Sequence, residues 1–274
     1  MYKILFSDLD ETLLAGHRVP DNNREAIMRL KEKGIKFIPA TGRAYNMIDD
    51  ILKDVGTYDK ENEYSICFNG GLIVENKDNK ILHFEGLDYE IAEEIFYKAN
   101  DYDVCVLVFT LDCCYIFKAD PLEVQRKIDQ NASFKVIDEF DISFLKNDKI
   151  AKILYERRDM DYIMSIRDEL YPLYKDRVAI TSSSERYLEF IALDANKGSG
   201  LKWIADYLGV SVDECAAIGD SHNDIEMIQT AGLGACVFNA HKDVKAVSDV
   251  LIEKDYLDGA VKEFIDKYIL ELTI

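Results

Sequence analysis

Three acidic side chains follow a short apolar run near the start of the chain. Ile4–Phe6 has the length and composition of a buried strand, and Asp8, Asp10 and Glu11 come shortly after it. Carboxylates beside a buried strand are costly unless a cation neutralises them. Oxygen ligands two residues apart at a strand end suit Mg²⁺, a hard cation that also recruits phosphate. The alternative interpretation is an acidic turn, or a helix start that Asp8 or Asp10 caps.

Three later side chains could bind the phosphate of such a site. Thr41 offers a hydroxyl at a strand end, and Arg43 is close enough in sequence to reach the same phosphate or the body of a substrate. Lys197 stands at a predicted helix start, where the ammonium and the helix dipole both favour an anion. Simpler interpretations are a helix cap for Thr41, a surface cation for Arg43, and an exposed lysine on an amphipathic helix for Lys197.

The polar stretches of the chain resemble a known set of motifs. Asp8–Thr12, Ala40–Arg43, Asn196–Gly198 and Gly219–Asp224 occur in this order. Together they resemble the four signature motifs of the haloacid dehalogenase-like (HAD) phosphohydrolases, and are most similar to the Cof-type subfamily with a large α/β cap (type IIB). The resemblance covers nearly all of the chain. It implies an α/β fold, with a doubly wound parallel sheet as the catalytic core and an inserted α+β cap domain.

The resemblance implies catalytic and metal-binding roles for the acidic residues. Asp8 corresponds to the nucleophile that forms an aspartyl-phosphate, and Asp10 to the general acid that protonates the leaving alcohol and then activates water. The implied cofactor is Mg²⁺, held by Asp8, by the backbone carbonyl of Asp10 and by Asp220, with Asp224 acting through a bound water. A helix start capped by Asp220 or Ser221 is the alternative.

The same resemblance places Thr41 and Lys197 in the catalytic set and implies a group of phosphate- and substrate-binding residues. That group comprises Thr41, Gly42, Arg43, Asn69, Lys197 and Asn223. A plain turn is the alternative at Asn69, which precedes two glycines. Glu11 departs from the family pattern, which usually has glycine there, and its extra charge bears on substrate preference.

The elements between the motifs predict how the motifs meet. In 1–83 and 189–274, apolar strands alternate with amphipathic helices, as in the βαβ units of a parallel sheet. Ligands of such sheets bind outside the carboxyl ends of the strands, where the motifs fall. In 84–188, paired strands and helices predict an inserted α+β cap with an antiparallel sheet and helices on one face. The predicted strands are Ile4–Phe6, Ile35–Ala40, Tyr64–Phe68, Val104–Thr110, Cys113–Lys118, Lys149–Tyr155, Val178–Thr181, Tyr187–Ile191, Cys215–Ile218 and Gly234–Phe238. The predicted helices are Ala26–Lys33, Ala44–Val55, Tyr89–Asn100, Leu122–Gln130, Asp159–Leu170, Asn196–Leu208, Ile225–Thr230 and Val261–Leu270.

Charge and hydropathy argue against two classes of partner. The chain of 274 residues carries 33 Lys and Arg against 52 Asp and Glu, a formal net charge of −19. Phosphate backbones require a basic face, so we expect no nucleic acid partner. No apolar run approaches the roughly 20 residues of a membrane helix, so we expect no membrane partner. The short apolar run after Lys3 does not have the pattern of a signal peptide.

Cysteine and histidine usage indicates the compartment and the metal chemistry. The six cysteines lie mostly inside apolar runs and form no C-x-x-C pair, which indicates free thiols of a cytoplasmic protein. The four histidines show no zinc-binding spacing, and His222 has no partner in the sequence near it.

These observations predict a Mg²⁺-dependent phosphatase that hydrolyses a small phosphate monoester, such as a sugar phosphate or a related phosphorylated metabolite. The cap is expected to exclude water and select the substrate. Two alternatives stay open, a phosphosugar mutase and a catalytically silent regulator that binds a phosphometabolite. The pair Asp8 and Asp10 speaks against the regulator, because binding alone needs no general acid.

Overall fold

A computed structural model describes residues 1–130 and 132–271. The chain folds as two compact units, of which the first combines 1–84 with the segment that begins at Asn196, and the second is Glu85–Ala195. The second unit is therefore an insertion between two parts of the first.

The C-terminal end of the insertion lies further along the chain than the predicted boundary at 188. That boundary would cut the strand Tyr187–Ala192, which pairs with Val178–Ser183 and Ile150–Glu156, both inside the insertion. The pairing of this strand therefore places the end of the second unit at Ala195.

The first unit contains a five-stranded sheet in which all neighbouring strands are parallel. In spatial order its strands are Val250–Leu251, Leu233–Cys236, Cys215–Gly219, Ile4–Ser7 and Lys36–Pro39. The α-helices of this unit are Asp21–Glu32, Asp49–Asp54, Lys197–Leu208, Ile225–Thr230, Lys242–Val247 and Ala260–Phe264, the last continuing as a π-helix over Ile265–Ile269. The N-terminal strand lies beside a strand from the far end of the chain, which brings distant segments of the sequence together.

Both faces of this sheet are buried. On one face, Ile4 and Phe6 share an apolar core with Leu201 and Ile204, which lie on the helix that begins at Lys197. Leu5 points to the opposite face, because side chains alternate along a strand, and it is also fully buried. A strand that is covered on both faces has a continuous apolar sequence rather than an alternating one, which explains the run seen near the N-terminus.

The predicted third parallel strand belongs to a different sheet. Tyr64–Cys67 pairs antiparallel with Leu72–Glu75, which in turn pairs with Lys80–Phe84. A parallel bridge between Ala40 and Ile66 links this three-stranded sheet to the end of the large one. The chain reverses within a few residues after Tyr64–Cys67, so the strand that follows it pairs antiparallel, since a parallel connection needs a long crossover.

The helix predicted over Ala26–Lys33 begins directly after Pro20. Asn23, which precedes the predicted range, lies inside the helix Asp21–Glu32 and is buried. Its side chain donates to the carbonyl of Leu13 at 3.2 Å and accepts from the backbone amide of Lys262 at 3.0 Å. Both partners come from other segments, so no local pattern predicted this placement.

The second unit is built on a six-stranded sheet. In spatial order its strands are Val178–Ser183, Tyr187–Ala192, Ile150–Glu156, Cys105–Thr110, Cys114–Phe117 and Phe134–Ile137. Neighbouring strands are antiparallel except for the last two, which are parallel. The α-helices of this unit are Tyr89–Lys98, Pro121–Asp129 and Met160–Tyr174.

The sequence predicted that the helices of the second unit lie on one face of its sheet. In the structure they lie on both faces. Phe96 and Ile166, on two of the helices, share an apolar core with Leu188 of the sheet. The helix Pro121–Asp129 contacts the other face, where the hydroxyl of Tyr187 donates to Glu123 at 2.7 Å. Tyr187 and Leu188 are consecutive on one strand and therefore point to opposite faces.

Candidate active site

Three neighbouring strands of the parallel sheet end side by side. Ser7 lies opposite Pro39 on one side and opposite Ile218 on the other. Asp8 directly follows the central strand, and Asp220 directly follows its neighbour Cys215–Gly219. Because parallel strands present their carboxyl ends at one edge of the sheet, residues more than half the chain apart meet there.

A buried ammonium joins two of the predicted carboxylates. Lys197 is fully buried, and its Nζ lies 2.5 Å from Oδ1 of Asp8 and 2.6 Å from Oδ1 of Asp224. Asn196 caps the helix, since its side-chain oxygen accepts from the backbone amide of Ser199 at 2.8 Å, and this cap fixes where the lysine side chain begins. The alternative of an exposed lysine is wrong.

Asp224 organises the loop that carries Asp220. Its Oδ2 accepts hydrogen bonds from the backbone amides of Asp220 and Ser221, each at 3.0 Å. The loop can close this tightly because Gly219 has no side chain, since a Cβ there would lie 2.5 Å from the Cβ of Asp224. Both carboxylate oxygens of Asp224 therefore contact protein groups, and its contact with a metal through water stays a prediction.

Two hydroxyls hold the side chain of Asp220. The hydroxyl of Thr12 donates to Oδ1 at 2.7 Å, and that of Ser221 donates to Oδ2 at 2.7 Å. Sequence reasoning did not give Thr12 a role, although it lies in the first motif. Its function as a donor becomes visible only when the strand ends meet, because Thr12 and Asp220 come from opposite ends of the chain.

Three buried carboxylates lie together at this site, and two of them contact the one ammonium. One oxygen from each of Asp8, Asp220 and Asp224 lies within 4.8 Å of the others. Burial raises the pKa of Asp8 well above its usual range, and although Lys197 acts in the opposite direction, Asp224 and Asp220 raise it further. Burial and the charge of Asp224 also raise the pKa of Asp220, to about 6. Burial alone would lower the pKa of Lys197, but Asp224 and Asp8 raise it. These carboxyls are under-neutralised, so they fit a hard divalent cation bound through oxygen.

The side chain of Asp10 lies apart from this cluster. Its two oxygens accept from Arg43, at 2.9 Å from Nε and 2.5 Å from Nη2. The Asp10 side chain is half exposed, at 54%, whereas that of Arg43 is only 18% exposed. The structure therefore places Arg43 against the predicted general acid, and this bidentate pair sets the orientation of the Asp10 carboxyl. A contact of the Asp10 carbonyl with metal stays a prediction.

The remaining predicted binding residues form one hydrogen-bonded group. The hydroxyl of Thr41 accepts from the backbone amide of Arg43 at 3.1 Å, and its carbonyl accepts from the amide of Asn69 at 2.9 Å. The side chain of Asn223 donates to that of Asn69 at 3.0 Å. Gly42 lies beside the Asn69 side chain. Asn69 is therefore part of the site rather than a plain surface turn, and it has a φ of 55°.

The departure at Glu11 has a structural consequence. Glu11 has a φ of 60°, in the left-handed region that glycine adopts more readily than other residues. Its carbonyl accepts from the side chain of Asn239 at 3.0 Å, a contact that sequence reasoning did not predict. The family's usual glycine is thus explained by backbone conformation, and Glu11 pays a conformational cost of about 1 kcal/mol to occupy it.

Comparison with known proteins identifies the family. The profile described as haloacid dehalogenase-like hydrolase matches residues 5–265. The chain is 31% identical to a putative phosphatase of Buchnera aphidicola subsp. Acyrthosiphon pisum over 96% of this chain and 95% of that protein. It is 28% identical to the chloroplastic endoribonuclease YBEY of Arabidopsis thaliana over 97% of this chain, which spans 46% of that protein. A solved structure of a sugar phosphatase of HAD subclass IIB has a TM-score of 0.78 at 21% identity, covering 91% of this chain and 92% of that one.

The chain belongs to the haloacid dehalogenase-like hydrolases, in their Cof-type group, and it is a phosphatase of that superfamily. The resemblance of the four motifs and the predicted α/β fold class are thereby confirmed. Within the part of the chain that the structure describes, no helix combines the length and the apolar character needed to cross a membrane.

Proposed function

We propose that this protein is a Mg²⁺-dependent phosphatase that hydrolyses a small phosphate monoester, such as a sugar phosphate, through an aspartyl-phosphate. The observation that carries the proposal is the buried cluster at the strand ends, where Lys197 contacts Asp8 and Asp220 lies nearby. Buried carboxylates with raised pKa values are a poor way to stabilise a fold. They are the groups that a metal-assisted phosphoryl transfer requires.

Asp8 supplies the nucleophile and Asp10 moves the proton. Lys197 binds Oδ1 of Asp8, so Oδ2 forms the new bond to phosphorus while the bond to the leaving oxygen breaks. Asp10 gives its proton to that oxygen, which departs as the alcohol. In the second step Asp10 takes a proton from water as the water oxygen attacks phosphorus. The bond to Asp8 then breaks, which releases inorganic phosphate and restores both carboxyl groups.

The surrounding residues bind and orient the phosphate. The hydroxyl of Thr41 accepts from the backbone amide of Arg43, so its own proton is available for a phosphate oxygen. The side-chain amide of Asn223, positioned by Asn69, offers a second donor. Arg43 orients the Asp10 carboxyl for proton transfer. When bound at Asp8 and Asp220, Mg²⁺ supplies positive charge that offsets the charge of the transferring phosphoryl group.

We include in this proposal a role in substrate selection for the inserted unit and a cytoplasmic location for the protein. All of the catalytic groups named above come from the first unit, 1–84 and the segment from Asn196, so we assign substrate selection to Glu85–Ala195. The six cysteines are all free, which is typical of proteins of the reducing cytoplasm.

The proposal is tested by measuring the inorganic phosphate that purified protein releases from a panel of phosphate monoesters, with hexose monophosphates included. Release should stop when EDTA is added and return with excess Mg²⁺. The variant Asp8→Asn should lose several orders of magnitude of activity while staying folded. Asp206→Asn, an exposed position on the helix Lys197–Leu208, is the matched control and should keep full activity.

The products distinguish the alternatives. In ¹⁸O-labelled water a hydrolase puts the label into the released phosphate. Isomerised sugar phosphate with little free phosphate would instead identify a mutase. Tight binding of the same compounds without turnover, in the presence of Mg²⁺, would identify a regulator. Full activity after complete chelation would refute the metal dependence.

A further inference from the structure

Two histidines and an aspartate form a second cluster in the first unit. His222 Nε2 lies 3.2 Å from Oδ2 of Asp243, and His241 Nδ1 lies 3.4 Å from the same oxygen. The centroids of the two imidazole rings are 4.2 Å apart. Among the described residues, one ligand atom from each of the three lies within 4.8 Å of the other two. His222 lies in the loop after the strand Cys215–Gly219, and His241 directly precedes the helix Lys242–Val247. Because they come from different segments, the two histidines have no zinc-binding spacing along the sequence.

We propose that His222, His241 and Asp243 form a binding site for a divalent transition metal, with Zn²⁺ as the test ion. Two ligands of a tetrahedral Zn²⁺ with bonds of about 2.0–2.2 Å lie roughly 3.3–3.6 Å apart. The two nitrogen-to-oxygen distances at Asp243, 3.2 and 3.4 Å, are close to this separation. Small rotations of exposed side chains are therefore enough to build the site.

The donor set selects the metal. Imidazole nitrogen with carboxylate oxygen suits Zn²⁺, Co²⁺ or Ni²⁺, whereas Mg²⁺ prefers oxygen alone. The side chains of His222, His241 and Asp243 are 57%, 45% and 55% exposed, so water can complete the coordination shell. This site is thus chemically distinct from the buried oxygen site at Asp8 and Asp220.

The contacts around His241 are long and bring two acceptors, Nδ1 and Oδ2 of Asp243, face to face. Nδ1 accepts from the backbone amide of Asp243 at 3.3 Å, which requires an unprotonated nitrogen. The same nitrogen then faces Oδ2 of Asp243, another acceptor, at 3.4 Å. A proton or a metal ion on Nδ1 would take its one lone pair and so replace the bond to the amide. A metal ion shared by Nδ1 and Oδ2 supplies positive charge to the Asp243 carboxylate, and an exposed His–Asp ion pair is a weak competitor, worth at most about 1 kcal/mol.

The cluster is joined to the catalytic loop by the backbone. The amide of His241 donates to the carbonyl of Asp220 at 2.9 Å, and His222 lies in the same loop as Asp220 and Asn223. A metal at this site therefore cross-links that loop to the start of the helix Lys242–Val247. It restrains the residues that carry Asp220 without occupying the catalytic cluster.

The test is a calorimetric titration of Zn²⁺ into the whole protein, with Mg²⁺ in large excess to hold the oxygen site. We expect one equivalent of Zn²⁺ to bind. His222→Ala and His241→Ala should each lose that equivalent, whereas His17→Ala, an exposed histidine in a different loop, should keep it. Asp8→Asn should also keep it, which separates this site from the catalytic one and from the outcome of the activity tests.

Co²⁺ gives a second readout that does not depend on activity. Its visible absorption should change in the wild type when imidazole nitrogen binds, and the change should be absent from His222→Gln, which keeps a polar side chain of similar length. Circular dichroism checks that each variant is folded. Failure of the wild type to bind Zn²⁺ would overturn the proposal, and so would equal uptake by the wild type and both histidine-to-alanine variants.

Discussion

Replacing Lys197 with methionine tests whether the buried ammonium neutralises the carboxylates of Asp8 and Asp224. Its Nζ lies 2.5 Å from Asp8 and 2.6 Å from Asp224, with no exposure to solvent. Methionine keeps most of the side-chain volume, so the packing loss is small. The carboxylates, however, lose their buried partner, and breaking a buried pair in this way costs about 3–5 kcal/mol. The free energy of unfolding of Lys197→Met should fall by that amount in metal-free buffer.

Mg²⁺ should restore part of this loss, because it supplies positive charge to the same carboxylates. The difference between wild type and Lys197→Met should therefore shrink when saturating Mg²⁺ is added. The assay is urea unfolding followed by the fluorescence of Trp203, the one tryptophan of the chain, which lies on the helix Lys197–Leu208. It reports unfolding of the first unit.

Lys202→Met is the matched control for this experiment. Lys202 is an exposed residue of the same helix, so its replacement should change stability by no more than about 0.5 kcal/mol, with or without Mg²⁺. The reasoning is refuted if Lys197→Met loses less than about 1 kcal/mol in metal-free buffer, or if Mg²⁺ stabilises it no more than it stabilises the wild type.

Three further predictions concern the backbone, the general acid and pH. Gly70→Ala should lose more than about 2 kcal/mol of unfolding free energy, because at a φ of 101° the added Cβ would lie 2.0 Å from the carbonyl oxygen of Asn196. The control Gly209→Ala has a φ of 66° and open space around it, so it should lose only about 1 kcal/mol. Equal losses of the two variants in urea unfolding would contradict the clash at Gly70. Arg43→Ala should lower kcat by about 10²-fold, because Asp10 loses the ion pair that orients its carboxyl group. Arg43→Lys should recover part of this loss. An unchanged steady-state kcat in Arg43→Ala would show that Arg43 does not orient Asp10 for the reaction. Burial and Asp224 raise the pKa of Asp220 from 3.8 to about 6, so the stability that protonated Asp220 contributes to the metal-free protein is present below pH 3.8 and is lost as the pH rises through about 6. Because Mg²⁺ binds the ionised carboxylate, the Mg²⁺-induced rise in Tm should grow across this pH window. A rise in Tm that is constant with pH would contradict the assignment of Asp220 as a metal ligand.

The sequence was enough to predict the fold class, and the residues that it singled out for chemistry meet at one edge of the sheet. Apolar runs such as Ile4–Phe6, followed at once by carboxylates, indicate strands buried on both faces that end at a ligand site. The order of the four motifs added the family, and the structure places Asp8, Lys197 and Asp220 together at one sheet edge. These features were predictable because strand burial and strand-end position depend on local composition.

Local composition could not predict how segments pair across the chain. The strand Tyr64–Cys67 has the composition of the parallel strands, yet it forms an antiparallel hairpin with Leu72–Glu75. The placement of Asn23 inside a helix was likewise not predictable, because its partners Leu13 and Lys262 come from other segments. In each case a long-range hydrogen bond or strand pairing outweighs a weak local preference.

Several donors at the candidate site were decided by tertiary structure alone. Thr12 and Asp220 are 208 positions apart, and Asn239 and Glu11 are 228 apart. Neither pair has a spacing that a motif could encode. The same is true of His222 and His241, which have no metal-binding spacing along the sequence but face one oxygen of Asp243 in space. Residue types fix which chemistry is available, whereas the register of parallel strands fixes which side chains share a site, because that register brings the ends of distant segments to one edge of the sheet.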